Sequence, residues 1–332
     1  MKNILLTGAG GFIGFHLANF LSDLGHEVRG VDIHSPTGSG NKMEFSFTVG
    51  DFRDPELMNV LLKDTEVVFH LASAHLQISL EKKDYWDINV HSLKPFLELC
   101  QKMGVQKFIH TSSVGVYGEL KDIPANEESE CFPQSIYGET KLAGEAEVLK
   151  YFKNTGFPVV ILRPAWVYGS GCPRTEKIYH TLRKKRFVQI GKMENLRHPI
   201  YIDDMLEAYR LAMENDDAVG ELFVIGGEHA ITTSELIDTF SRVFNISGPV
   251  LKIPHAIGIA MAISAELVFG IFKMEPPISK RTLEFFNTHT AFDISKAKKL
   301  LKFNPSFTFE EGLNDYYSRY FEKKNYTIEY SK

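Results

Sequence analysis

Tyr137 and Lys141 stand four residues apart, and Ser112-Ser113 precede them at the end of an apolar run. A phenol with its ordinary pKa of about 10 is a poor base at neutral pH. On a helix, Lys141 would lie one turn beyond Tyr137 on the same face, where its ammonium would favour the phenolate and lower that pKa. Ser113 would hydrogen-bond the reacting oxygen and position it. Such a trio moves the proton of a secondary alcohol, and the accompanying hydride needs a carrier. The N-terminus reads Thr7-Gly8-Ala9-Gly10-Gly11-Phe12-Ile13-Gly14, with Asp32 at the end of the next apolar run. Gly8, Gly11 and Gly14 at a strand-to-helix junction permit a tight turn and let backbone N–H groups approach a pyrophosphate at the positive end of the helix. The spacing is G-x-x-G-x-x-G, with Gly10 as a further glycine. Each signal has a plainer alternative: glycines that serve strand-to-helix packing alone, or a surface Tyr and Lys. Their order along one chain points to a bound dinucleotide and hydride transfer, with Tyr137 as the proton-transfer group.

Asp32 can accept hydrogen bonds from the adenosine ribose hydroxyls and would repel a 2′-phosphate. Ile33, His34 and Ser35 supply no Arg or Lys to counter that repulsion, so NAD is favoured over NADP. Asp51-Phe52 follows a third strand and is placed to meet the adenine, although Asp51 reads equally as a helix cap or turn residue.

These residues need a sheet and its crossovers to position them. Continuous apolar runs at Asn3–Thr7, Glu27–Asp32, Glu66–His70, Lys107–Ser112 and Pro158–Arg163, with a shorter one at Phe45–Val49, read as strands buried on both faces. Helical patterns over Phe12–Leu24, Pro55–Lys63, Tyr85–Met103 and Ser135–Asn154 alternate with them, the signature of a parallel sheet with crossover helices. The expected fold is α/β: a Rossmann-like, doubly wound parallel sheet with a smaller, mostly helical C-terminal substrate region. The expected division is 1–172 for the nucleotide domain and 173–332 for the substrate region, with 200–230 folding back onto the first. Beyond Tyr168-Gly169 only Leu222–Ile225 reads convincingly as a strand.

Composition adds exclusions. The 332 residues are 44% hydrophobic and 24% charged with a net charge of −5, as in a soluble globular protein with no reason to bind nucleic acid. Cys100, Cys131 and Cys172 show neither CxxC nor metal-ligand spacing, which fits a reducing compartment and predicts no metal site. Met1-Lys2-Asn3-Ile4 runs directly into the first strand and leaves no room for a signal peptide, so the cytoplasm is the expected location. Pro254–Phe272 is apolar apart from His255, Ser264 and Glu266. It reads as a helix packed over the substrate cleft or as a peripheral membrane contact that collects a lipid-like substrate; Glu266 argues against a spanning helix.

The chain resembles the extended short-chain dehydrogenases/reductases: NAD-dependent sugar-nucleotide epimerases and dehydratases and 3β-hydroxysteroid dehydrogenases. The resemblance runs nearly the full length. It includes TGAGGFIG, His70-Leu71-Ala72-Ser73, Asn89-Val90, Thr111 to Gly118, Tyr137-Gly138-Glu139-Thr140-Lys141, Leu162-Arg163-Pro164 with Val167-Tyr168-Gly169, Arg197 to Asp204, and Phe292 to Ala297. It implies Ser113, Tyr137 and Lys141 as catalytic residues. For the cofactor it implies Gly8, Gly11, Phe12, Ile13, Gly14, Asp32, Asp51, Phe52, Leu71, Ala72, Ser73, Asn89, Tyr137, Lys141, Pro164 and Val167. A homodimer formed through the helices Tyr85–Met103 and Ser135–Asn154 would also match the family.

Departures from the family pattern bear on the substrate. Dehydratases of this family carry an Asp-Glu pair where this chain has Val114-Gly115, which cannot transfer protons. Arg197 and Arg281 resemble positions at which epimerases hold a substrate diphosphate, work suited to a guanidinium fork; each also reads as a salt-bridge residue. Trp166 replaces the Asn usual in sugar-nucleotide members and offers an apolar wall or a stacking surface. His75 reads either as a substrate-cleft residue or as a satisfied structural histidine. The leading expectation is a nucleotide-sugar 4-epimerase; the alternative is a 3β-hydroxysteroid or other lipid alcohol dehydrogenase. A non-catalytic NAD-binding protein is the remote third, since such members usually lose the Tyr or Lys retained here.

Overall fold

The computed structural model describes residues 1–36, 43–75, 80–247, 251–254, 256–261, 264 and 288–329. The chain begins with β1 (Asn3–Thr7), α1 (Phe12–Asp23), β2 (Glu27–Asp32), β3 (Ser46–Val49), α2 (Pro55–Leu61) and β4 (Val67–His70). It continues through α3 (Lys82–Trp86), α4 (Leu93–Lys102), β5 (Lys107–Thr111), α5 (Ile136–Thr155) and β6 (Val159–Pro164). With a later strand, β11 (Leu222–Ile225), these strands form a parallel seven-stranded sheet in the order β11-β6-β5-β4-β1-β2-β3. This is the expected Rossmann-like α/β architecture. Successive residues point to opposite faces, so Leu6, Ile109 and Leu162 join one core while Leu5, Phe108 and Ile161 join the other. The strand order reverses between β1 and β4, and their C-terminal ends flank the crevice where ligands bind in such sheets. Thr7 lies opposite His70 there.

Two local features seat the candidate site. Helix α5 starts where the Ser135 hydroxyl accepts from the Gly138 N–H at 3.1 Å, and it ends at Gly156 with φ 70°. A Cβ on Gly138 would lie 2.5 Å from the Gly115 carbonyl oxygen, so only glycine lets the first turn of α5 rest on the turn that follows Ser113. The helix expected over Tyr85–Met103 is interrupted. A π-turn at Asp87–His91 separates α3 from α4 and turns Asn89 inward, as such turns often do near functional sites.

The C-terminal region departs further from expectation. It contains β7 (Trp166–Tyr168), α6 (Pro173–Arg183), β8 (Val188–Ile190), β9 (Leu196–Arg197), β10 (Pro199–Tyr201), α7 (Ile202–Glu214), β12 (Ile231–Thr232), α8 (Thr233–Val243), β13 (Leu251–Ile253) and α9 (Phe309–Glu329). Besides β11, six short strands form three two-stranded pairs, β7–β10, β9–β12 and β8–β13. Strands of two or three residues are too short for period-two patterning to register in a sequence. Helix α7 packs against α1 and β5, and β11 lies beside β6. Among the described residues no helix is long and apolar enough to cross a membrane. Of the apolar stretch Pro254–Phe272, residues 256–261 are helical, with Ile257, Ile259 and Met261 exposed, and most of the remainder lies outside the described residues.

Candidate active site

The turn after β1 is shaped by close approach. Gly8 has φ +79°, and a Cβ there would lie 2.6 Å from the Ala72 nitrogen; one on Gly14 would lie 2.1 Å from the Gly8 carbonyl oxygen. Helix α1, which opens with Phe12 and Ile13, has Gly11 as its N-cap, with no side-chain cap and no acidic residue in its first turn. Its first N–H groups and dipole are therefore left for an anion. Asp32 closes β2 with its carboxylate fixed, accepting from the Gly10 N–H and from the His34 N–H, each at 3.1 Å. This cradle fits the pyrophosphate and ribose of NAD.

Other expected cofactor residues divide. Leu71, Ala72 and Ser73 follow β4 directly beside the glycine turn, where the Leu71 N–H donates to the Thr7 carbonyl at 3.0 Å. Pro164 ends β6 and Val167 lies in β7, both buried. The Phe52 ring instead enters the core against His70 and Phe96, at centroid distances of 4.8 and 5.5 Å. The Phe52 backbone is therefore the part of this residue left to meet the adenine. Asp51 serves as a turn residue, accepting from the Arg53 N–H at 2.9 Å and pairing with the Arg53 guanidinium at 2.6 Å. Burial disfavours its charge, but those Arg53 hydrogen bonds hold its pKa below the usual value. Asn89 spends its amide within the protein. It accepts from the Ala74 N–H at 2.8 Å and donates to the Ala74 carbonyl at 3.1 Å and the Thr140 hydroxyl at 3.0 Å. The loop after β4 is thereby fastened to the helix that carries Tyr137.

Tyr137, Ser113 and Lys141 come together. Ser113 ends the β5 segment and its hydroxyl oxygen accepts from the Gly115 N–H at 3.0 Å, which leaves its own proton to donate. Ser113 and Ser73 both act on the Tyr137 hydroxyl in the sense that favours the phenolate. Its pKa is raised, not lowered. Burial is the dominant cause, opposed by the Ser113 bond, the Arg174 charge and the Ser73 bond, and Lys141 is not among the groups acting on it. Lys141 is 3% exposed, and among the described residues its ammonium makes no hydrogen bond. Burial pushes its pKa down to about 8, opposed by Glu145. A buried ammonium with unused donors fits the hydroxyl pair of a ribose. A Cβ on Gly115 would lie 3.3 Å from the Ser113 hydroxyl oxygen and 3.7 Å from the Tyr137 ring, so the wall where a dehydratase would place a carboxylate is bare.

The substrate side is built from longer side chains. His75 is exposed and meets the Tyr137 ring edge-on at 4.8 Å, which places it at the cleft. Trp166 packs its indole against Tyr168 and Phe309, at 6.2 and 6.3 Å. Arg197 on β9 is buried, and burial together with the Arg174 charge lowers its pKa to about 10, so it remains cationic at neutral pH. Arg281 lies outside the described residues. Arg174, which acts electrostatically on both Tyr137 and Arg197, was not singled out by the sequence reading. A signal existed: it is a cation in the first turn of α6, where the helix dipole favours anions.

Known proteins resemble this chain in sequence and fold. A family model described as the NAD dependent epimerase/dehydratase family matches residues 4–226. An uncharacterized UDP-glucose epimerase of Bacillus subtilis is 30% identical, over 94% of this chain and 96% of that protein. The mouse sterol-4-alpha-carboxylate 3-dehydrogenase (decarboxylating) is 27% identical, over 94% and 89%. The structure of UDP-glucuronic acid 4-epimerase from Bacillus cereus in complex with NAD is similar with a TM-score of 0.77 at 27% identity, covering 96% of this chain and 99% of that one. The chain belongs to the NAD-dependent epimerase/dehydratase family and is an NAD-dependent enzyme of the extended short-chain dehydrogenase/reductase type.

Proposed function

We propose that this enzyme is a nucleotide-sugar 4-epimerase. The observation that carries this reading is Arg174, whose charge acts both on Tyr137 and on Arg197, the latter buried and still cationic. Guanidinium forks suit a diphosphate. Bound NAD supplies the hydride acceptor and donor. Ser113 donates to the sugar oxygen and holds it. Tyr137 takes the hydroxyl proton and later returns it, its raised pKa making it a proton donor at rest and a base only when a positive charge is near. Lys141 holds the ribose, and the positive charge that acts on the phenol is that of Arg174. In the proposed division, residues 1–172 hold the cofactor and 173–332 bound the substrate. The cytoplasmic homodimer expected from the sequence is part of the same proposal.

A second reading, a sterol or lipid alcohol dehydrogenase, is favoured by Trp166, whose indole stands with Tyr168 and Phe309 as an aromatic wall. The two readings part on cofactor exchange. Protein purified without added nucleotide is expected to release near-stoichiometric NAD on denaturation and to interconvert UDP-glucose or a related nucleotide sugar at C4. An empty site, with NADH formed from a hydroxysterol, would replace the first reading with the second.

A further inference from the structure

Behind Lys141 lies a polar cluster that the chemistry above does not use. Glu145, one turn after Lys141 on α5, is 3% exposed, and Arg163 on β6 is 4% exposed. The Arg163 Nε donates to Glu145 Oε1 at 2.8 Å and its Nη2 to Oε2 at 2.6 Å, a two-pronged pair. The Ser112 hydroxyl also donates to Glu145 Oε1. Arg163 Nη1 donates to the Tyr117 hydroxyl at 2.8 Å, and that hydroxyl donates to the Asn126 carbonyl at 2.7 Å. Every oxygen of the carboxylate is thus held, on one side by the strand that carries Arg163 and on the other by the neighbour of Ser113.

The charges facing Lys141 do not balance without this carboxylate. From α5 come Tyr137, a neutral phenol, and Glu145. From β4 and β5 come His70 and His110, stacked at 5.5 Å and buried, and burial holds both imidazoles in the neutral form. From β6 comes Arg163, a cation. Among the described residues Glu145 is the one anion acting on the Lys141 ammonium.

We propose that Glu145 is a positioning residue for the proposed chemistry: pinned by Arg163 and Ser112, it supplies the buried negative charge that keeps Lys141 protonated beside Tyr137. The proposal rests on the reading of Tyr137, Lys141 and Ser113 given above. Its physical logic is one of relative acidity. Were the carboxylate neutral, two cations would share one dry cavity, and the guanidinium cannot give up its proton. Lys141 would lose its own instead, and with it a donor that holds the ribose.

The test follows NAD affinity and turnover of UDP-glucose against pH. In Glu145→Gln the alkaline limb of both profiles is expected to move to lower pH by about one unit or more, the size of shift a lost neighbouring counter-charge produces. Ser112→Ala, which removes a hydrogen bond but not the charge, is expected to leave the limb in place, a distinction that a merely structural role would not draw. If Glu145→Gln does not fold, Arg163→Met, which removes the second cation and leaves the Glu145 carboxylate to Lys141 alone, is expected to move the limb to higher pH. A limb at the wild-type position in the folded variant overturns the proposal. Undiminished turnover in Tyr137→Phe or Lys141→Met would overturn the underlying reading and this one with it. An inactive Lys141→Met beside an unmoved limb in Glu145→Gln overturns this proposal alone.

Discussion

The two sides of the cleft are made in different ways. On the proposed cofactor side most of the shaping is done by backbone, by strand ends, a helix N-terminus and glycines that admit no Cβ, joined by the Asp32 carboxylate and the Lys141 ammonium. The buried ionisable groups beneath it, His70 and His110, are held neutral. On the substrate side the work is done by long side chains on short strands and a helix start, and a buried charge, Arg197, is retained. A backbone-built site tolerates little change and binds one shape of ligand. A site built from side chains can exchange its substrate by a few substitutions while the sheet behind it stays the same. That contrast explains how relatives of 30% and 27% identity carry names as different as a UDP-glucose epimerase and a sterol-4-alpha-carboxylate dehydrogenase.

The largest effect expected from breaking the contrast is at Gly14. With a Cβ that would stand 2.1 Å from the Gly8 oxygen, Gly14→Val must push α1 away from the turn. Loss of NAD binding by a hundredfold or more is expected, together with destabilisation of about 1–3 kcal/mol as for other overpacked sites. Calorimetric titration with NAD and a thermal melt measure the two; wild-type NAD affinity in a folded variant would show that the turn is not the cofactor cradle.

A smaller effect is expected across the cleft. Arg197→Met should leave NAD affinity unchanged and raise KM for a nucleotide sugar by about 10- to 100-fold, the equivalent of one hydrogen bond to a charged group. Equal loss of NAD and sugar binding would erase the division between the two sides. An unchanged KM would place the diphosphate elsewhere and strengthen the lipid reading.

How much of this was legible in the sequence follows the same line. The glycine turn, Asp32 and the Tyr137, Lys141 and Ser113 trio were readable because backbone clearance and helical spacing are local properties. The Tyr137 pKa was not. Spacing shows that Lys141 is near, whereas burial, which dominates and raises the value, depends on what the rest of the chain lays over the ring. The direction of the Phe52 ring was hidden for a related reason: the turn it occupies is visible in sequence, but the ring is aimed by Phe96 and His70 on distant elements. Glu145 stood four residues after Lys141 in plain view, but its partner Arg163 and its anchor Ser112 are brought to it only by the sheet.

The smallest effect at neutral pH is expected at His110, and it tests the claim that burial keeps the two stacked imidazoles neutral. Neither ring nitrogen of His110 has a hydrogen-bond partner among the described residues. Its pKa is driven well below 6.5 by burial, then by the charge of Lys141 and by His70, while that of His70 falls to about 3. Unfolded, each imidazole would take a proton near pH 6.5; folded, neither does until the medium is far more acidic. The unfolded state therefore binds more protons as pH falls below 6.5, and each histidine removes up to about 1.4 kcal/mol of stability per pH unit in that window, with no contribution above pH 7. His110→Phe keeps the ring volume, discards two unsatisfied nitrogens and removes one of these terms. Thermal melts of the variant and the wild type should nearly coincide at pH 7.5 and diverge in the variant's favour by about 2 kcal/mol at pH 5. Parallel melting curves down to pH 5 would mean that His110 accepts a proton inside the fold despite its burial.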